Sequence, residues 1–148
     1  MPVQRSVKHY LPGDISSTVF RQWRADSHCN QLHGYSLGIR MVFEGEVDDK
    51  HWVVDFGSLK QIKKKFEWWF DHTTIVAHDD PKLHVFYGMA KEELIQLRVT
   101  EAVGCEYFAN LCRDEVNWWL QSSPYDGRVR LVELYLYEHE KNGAYAAI

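Results

Sequence analysis

The chain is poor in several things, and each shortage removes a class of function. Only three cysteines occur (Cys29, Cys105 and Cys112), an odd number that speaks against a disulfide framework and for a reduced, cytoplasmic protein. Basic charge is not in excess: 17 Lys and Arg stand against 21 Asp and Glu, for a net charge of −4. That balance argues against a nucleic-acid groove, which needs a strongly positive face. No apolar run approaches the ~20 residues of a membrane span. The opening Met1-Pro2-Val3-Gln4-Arg5 passes into polar sequence without a signal-peptide core, so no membrane role is expected. Repeats, low-complexity tracts and linkers are absent as well, and residues 1–148 read as a single domain.

Aromatic residues, by contrast, are plentiful at 14%, with six tryptophans that include the pairs Trp68-Trp69 and Trp118-Trp119. Such pairs need large apolar surfaces, which a small domain often obtains by oligomerising.

Periodicity supplies the elements. Val19 to Arg24 reads as a short strand. From Ser36 to Val47 the residues alternate, with Leu37, Ile39, Met41 and Phe43 on one face, as in a half-buried antiparallel strand. Asp48-Asp49-Lys50 turns the chain, and Trp52-Val53-Val54 is a brief extended segment. Leu59, Ile62, Phe66 and Trp69 then recur at helical spacing opposite lysines and a glutamate. Asp71 to Met89 is polar and reads mostly as loop, long enough to hint at a functional segment. Thr100 is expected to cap a second helix carrying Val103, Tyr107, Leu111, Val116 and Leu120. A long strand over Val129 to His139 and a short one within Gly143 to Ile148 complete an α+β order of ββααββ. That order predicts an antiparallel sheet with two helices on one face.

Four groups of residues carry chemistry. Cys29 stands in a polar loop beside His28 and His33, neighbours able to tune a thiol as a base or nucleophile. Asp71-His72 follows the first helix, and a carboxylate beside an imidazole can orient or charge it for proton transfer. Glu138 ends the apolar run Leu134-Tyr135-Leu136-Tyr137, where a carboxylate needs a partner. Thr100-Glu101 reads equally as helix cap or as ligand contact.

Cys29-Asn30-Gln31-Leu32-His33-Gly34-Tyr35 resembles the catalytic motif of the 6-pyruvoyl-tetrahydropterin synthase family, in particular its 6-carboxytetrahydropterin synthase branch of 7-deazaguanine synthesis. Asp55-Phe56 through Leu59-Lys60, Trp69-Phe70-Asp71-His72 and Tyr137-Glu138 continue the likeness, which runs from about Val19 to Tyr145. The resemblance implies a tunnelling fold whose sheets close into an oligomeric barrel, as a hexamer. It implies a Cys29, Asp71 and His72 proton-transfer set completed across a subunit interface. It implies Glu138 as the pterin anchor, with Thr100 and Glu101 beside the pterin. The implied activity is that of a lyase converting 7,8-dihydroneopterin triphosphate by triphosphate elimination and side-chain rearrangement. The alternatives are a diverged pterin binder with altered or lost metal chemistry, and a non-catalytic oligomeric module.

The resemblance also implies zinc, held by one histidine of the first strand and two of a His-Gly-His turn. Here the sequence departs from the family. Tyr35 replaces the last ligand, and the strand alignment places Trp23, or Arg24 with a one-residue shift, at the first. Neither can ligate, because an indole N–H only donates and guanidinium stays protonated. His33 alone survives, so zinc is expected to bind weakly or through a rebuilt set in which His28, with Tyr35 or Cys29, joins His33.

Overall fold

Strand β4 (Gly38–Glu46) organises the molecule, because Ile39, Met41 and Phe43 on its inner face, with Leu37 just before it, are fully buried. In the computed structural model, which describes residues 1–148, β4 lies between antiparallel neighbours β1 (Val3–Tyr10) and β7 (Val129–Tyr137). Strand β8 (Gly143–Tyr145) adds to the far side of β7.

The pairing of β7 with β4 changes register once. Val42 opposes Glu133 while Phe43 opposes Leu131, which leaves Val132 as an extra residue. This bulge inverts the alternation of β7, so that Val129 and Leu131 before it and Leu134 and Leu136 after it are all buried. Without the extra residue, one half of the strand would turn its apolar side outward.

A second sheet has the order β3-β2-β5-β6, built from β2 (Ser17–Phe20), β3 (His33–Tyr35), β5 (Asp71–Ala77) and β6 (Leu97–Thr100). Strands β2 and β3 are antiparallel, whereas β5 runs parallel to both β2 and β6. Three helices complete the fold: α1 (Lys60–Phe70), α2 (Leu83–Lys91) and α3 (Cys105–Gln121). Helix α3 lies against β7 and β8 and touches α1, which packs on β5. Their buried residues (Ile62, Phe66 and Phe70; Phe108, Cys112, Val116 and Leu120) recur at four-residue intervals.

Several sequence expectations change. The segment expected as loop from Asp71 to Met89 holds β5 and most of α2 instead. Strand β5 is central, and Thr73 through Ala77 are buried on both faces, so no alternation marks it. Thr100 ends β6 and caps no helix; α3 begins five residues later, behind Gly104. The strand expected to reach Arg24 stops at Phe20, and Trp52 to Val54 forms none. The single antiparallel sheet of the ββααββ reading is therefore two four-stranded sheets, one of them mixed. Strand β1, unmarked by hydrophobicity, pairs with β4 along its full length from Val3↔Glu46 to Tyr10↔Ile39.

Phe108 is fully buried, and its ring makes edge contacts with Phe20 of β2 at 5.1 Å and Phe70 of α1 at 5.4 Å. Phe108→Ala should cost ~3–5 kcal/mol of stability, as for other large-to-small changes in cores. Urea unfolding at fixed protein concentration measures it.

Candidate functional site

A cavity of about 470 Å³ opens where the end of β2, the N-terminus of α3 and the turn between β7 and β8 meet. Cys29, Tyr35, Cys105, Tyr135 and Glu138 are among its lining residues. Cys29 and Glu138, 109 positions apart in the chain, are thus brought to one place.

The Cys29 loop is held from the segment leaving β2. Gln22 N–H donates to the Cys29 carbonyl at 2.9 Å, and Cys29 N–H donates to Ser27 Oγ at 3.3 Å. Arg21 donates through Nη1 to the Asn30 carbonyl at 2.9 Å and clasps Asp80 with Nε and Nη2 at 2.8 and 2.7 Å. The guanidinium holds the buried Asp80 carboxyl below its ordinary value. One bidentate pair therefore ties the loop to the turn after β5.

Two glycines of the cavity wall leave no room for a side chain. A Cβ at Gly104, whose φ is +122°, would lie 2.6 Å from Gln22 Nε2, the amide that donates to Val103 O. A Cβ at Gly143 would meet the Tyr135 ring at 2.4 Å. Glu138 follows β7 directly, and its N–H donates to the Asn142 carbonyl at 2.9 Å across the turn. The N-terminus of α3 has no side-chain cap and faces the same cavity, and a carboxylate is the charge a helix N-terminus stabilises.

Burial, reinforced by Glu138 and Glu106, pushes the Cys105 thiol up to about 12. It stays protonated and donates to the Leu136 carbonyl at 3.4 Å. Complete burial likewise pushes Cys112 far up. Cys29 is the exposed thiol of the three.

Asp71 and His72 are not brought to this cavity within one chain. Ser17, at the start of β2, pairs with Asp71, whereas Phe20 leads out toward Cys29. Four residues of strand separate those ends by ~10 Å. The register of β2 with β5 shifts between Ser17 and Thr18, and His72 is the residue left over. It takes φ +57°, unusual for a residue other than glycine, and its ring is thrown out of the ladder into solvent. Its Nδ1 lies 3.0 Å from Asp71 Oδ1, and Gln96 Nε2 donates to its carbonyl at 3.1 Å. Thr100 is buried, donating to the Ala102 carbonyl at 2.5 Å, and Glu101 is exposed; neither lines the Cys29–Glu138 cavity.

The metal expectation meets a different geometry. Trp23 Nε1 donates to Asp79 at 3.2 Å, under the Arg24 guanidinium 4.1 Å from its ring, so neither residue turns toward His33. The β2 residue paired with His33 is Phe20. Its ring stacks on Tyr35, centroids 4.2 Å apart and 16° from parallel. Burial, then the charges of Glu138 and Cys29, raise the Tyr35 hydroxyl above its ordinary value, which keeps it a neutral phenol. His33 Nδ1–H donates to the Gln31 carbonyl at 2.8 Å, leaving Nε2 free, and the His28 ring stands 5.5 Å away. No three His, Cys, Asp or Glu side chains converge to hold a metal ion. Phe20, a hydrocarbon, and Tyr35, a neutral phenol, do not fit a zinc site. Phe20 escaped the sequence reading because strand pairing, not spacing, places it opposite His33.

Residues 7–147 match the family described as 6-pyruvoyl tetrahydropterin synthase. An uncharacterized protein of Wolinella succinogenes shares the fold with a TM-score of 0.80 at 17% identity, over 98% of each chain. The 6-pyruvoyl tetrahydropterin synthase of Plasmodium vivax does so with 0.71 at 13%, over 98% of this chain and 97% of its own. A Pyrococcus horikoshii protein named "Putative 6-carboxy-5,6,7,8-tetrahydropterin synthase" is 28% identical over 72 residues, 49% of this chain. The match spans only 43% of that protein.

Thiol chemistry follows from these environments. Iodoacetamide at mildly alkaline pH should label Cys29 alone in the folded protein, since Cys105 and Cys112 remain thiols. Mass spectrometry of the labelled chain checks this, and Cys29→Ser should abolish labelling.

Proposed function

The chain belongs to the 6-pyruvoyl tetrahydropterin synthase family, and from that premise we propose that it binds a pterin in the Cys29–Glu138 cavity without the family's metal-dependent chemistry. The observation that carries this reading is Glu138 in one cavity with Cys29 and Tyr35, while no metal-binding cluster is present. A pterin offers a ring N–H beside an exocyclic amine. Two parallel donors suit the two oxygens of the Glu138 carboxylate. Cys29 lines the same cavity and would meet the ligand there.

A second reading keeps the family's activity, with 6-carboxytetrahydropterin synthase-type conversion of 7,8-dihydroneopterin triphosphate. The partial similarity to the Pyrococcus horikoshii protein supports it, as does the retention of Cys29, Asp71-His72 and Glu138 together. A purely structural module would have no use for that combination. Incubation with 7,8-dihydroneopterin triphosphate and chromatography of the products separates the two readings: turnover favours the second, binding without turnover the first.

The second reading places Asp71-His72 beside Cys29 of another copy, since β2 separates them within the chain. Strands β1 and β8, and β3 and β6, are free edges for such closure. Sedimentation should therefore show a symmetric oligomer, a hexamer by family resemblance. A stable monomer at micromolar concentration would leave the dyad apart from the thiol.

Glu138→Gln preserves shape but turns one acceptor into a donor facing the pterin's N–H groups. Binding should weaken by about 2–3 kcal/mol, the range for a broken charge-assisted contact. Quenching of pterin fluorescence measures it, and an unchanged affinity removes the anchor.

A further inference from the structure

We propose that the stacked Phe20–Tyr35 pair stands in place of a metal, excluding a divalent ion from the pocket and presenting the Tyr35 hydroxyl as a hydrogen-bond donor to a side-chain oxygen of the ligand. The ligand half of this inference rests on the pterin reading above; the metal half does not.

The geometry has three parts. Phe20 and Tyr35 are in face contact at 4.2 Å, which leaves no room between the rings for an ion and its ~2 Å bonds to ligands. Phe20 is 2% exposed and backed edge-on by Phe108, so the inner ring is fixed by the core and cannot swing aside. Tyr35 is the half-buried outer member, and it lines the cavity together with Cys29 and Glu138. Its hydroxyl lies toward Glu138, whose charge and hydrogen bond, after burial, help keep it a neutral phenol, so the donor sits beside the carboxylate that a ligand would meet.

His33 remains beside the pair with Nε2 free. One imidazole does not hold Zn²⁺ against water, whereas three converging ligands do. The arrangement thus contains a latent zinc site, one double substitution away.

The test has a metal arm and a ligand arm. Wild type, Tyr35→Phe and Phe20→His/Tyr35→His are equilibrated with zinc, dialysed against metal-free buffer and analysed for bound metal. The inference expects no stoichiometric zinc in wild type or Tyr35→Phe, and stoichiometric zinc in the double variant. Stoichiometric zinc in dialysed wild type overturns it, whatever the double variant does. If the double variant fails to fold, wild type and Tyr35→Phe still decide.

In the ligand arm, wild type and Tyr35→Phe are titrated with 7,8-dihydroneopterin and with unsubstituted 7,8-dihydropterin. Loss of one hydrogen bond should weaken dihydroneopterin about tenfold. Dihydropterin, which lacks the side-chain oxygens, should bind both proteins alike, whereas a merely structural role would weaken both ligands. Equal affinity of the two proteins for dihydroneopterin overturns the donor assignment. A wild type that binds neither compound, even at millimolar concentration, overturns both the pterin reading and the donor role, while the metal arm still decides the exclusion.

Discussion

Phe108 is where the core and the cavity are mechanically joined. Its ring touches Phe20 and Phe70, and Phe20 in turn stacks on Tyr35 at the cavity wall. A contact chain of aromatics therefore runs from α1, through α3 and the last residue of β2, to the wall of the cavity. Interiors packed to crystal-like density transmit displacement with little compliance. The position of Tyr35 is thus set by packing three layers deep, and the cavity's shape depends on the same residues that hold the two sheets together.

What local pattern encodes was legible. Strand β4 shows alternation at Ile39, Met41 and Phe43, and α1 shows helical spacing through Ile62 and Phe66. In α3, by contrast, only Val116 and Leu120 of the expected stripe are buried, and Phe108 and Cys112 take the inner face one position beyond Tyr107 and Leu111. Strand β1 carries Arg5, Lys8 and His9 among few apolar residues and becomes a strand through its pairing with β4. Strand β5 is covered on both faces, and its threonines are matched in part by the Thr18–Thr73 hydroxyl contact at 2.9 Å, which no periodicity announces. At the site, Cys29 and Glu138 were legible because each belongs to a recognisable motif. Phe20 was not, since only the β2–β3 register identifies it as the neighbour of His33.

The Asp71-His72 pair shows how a defect in pairing can aim a side chain. In an unbroken parallel ladder with β2, His72 would alternate into the sheet with its neighbours. The register shift releases it, the positive φ turns the backbone, and Asp71 steadies the exposed ring. A non-glycine residue in that conformation costs of order 1–3 kcal/mol. Such strain persists where surrounding structure enforces it, here through β5 and the Gln96 bond to the His72 carbonyl. The ring stands in solvent, outside the cavity lined by Cys29 and Glu138.

Exchanging a metal for a phenol changes what the pocket can do energetically. A bound zinc polarises oxygen by several kcal/mol and needs no proton to do so. A neutral hydrogen bond contributes ~1 kcal/mol, more when it forms in a dry site against developing charge. Chemistry that requires a strongly stabilised oxyanion on the side chain is therefore penalised here. On the proposed reading, neither binding through Glu138 nor proton transfer at Cys29 depends on a metal. On the proposed reading, a ligand that covered Tyr35 without offering it an oxygen would leave the hydroxyl unpaired, at a cost of about 1–3 kcal/mol. The same exchange frees the pocket from metal supply and from the need to hold three imidazoles neutral. On the proposed reading, such a cavity would keep selectivity for an oxygenated side chain and give up most of the Lewis-acid drive that eliminates its substituents.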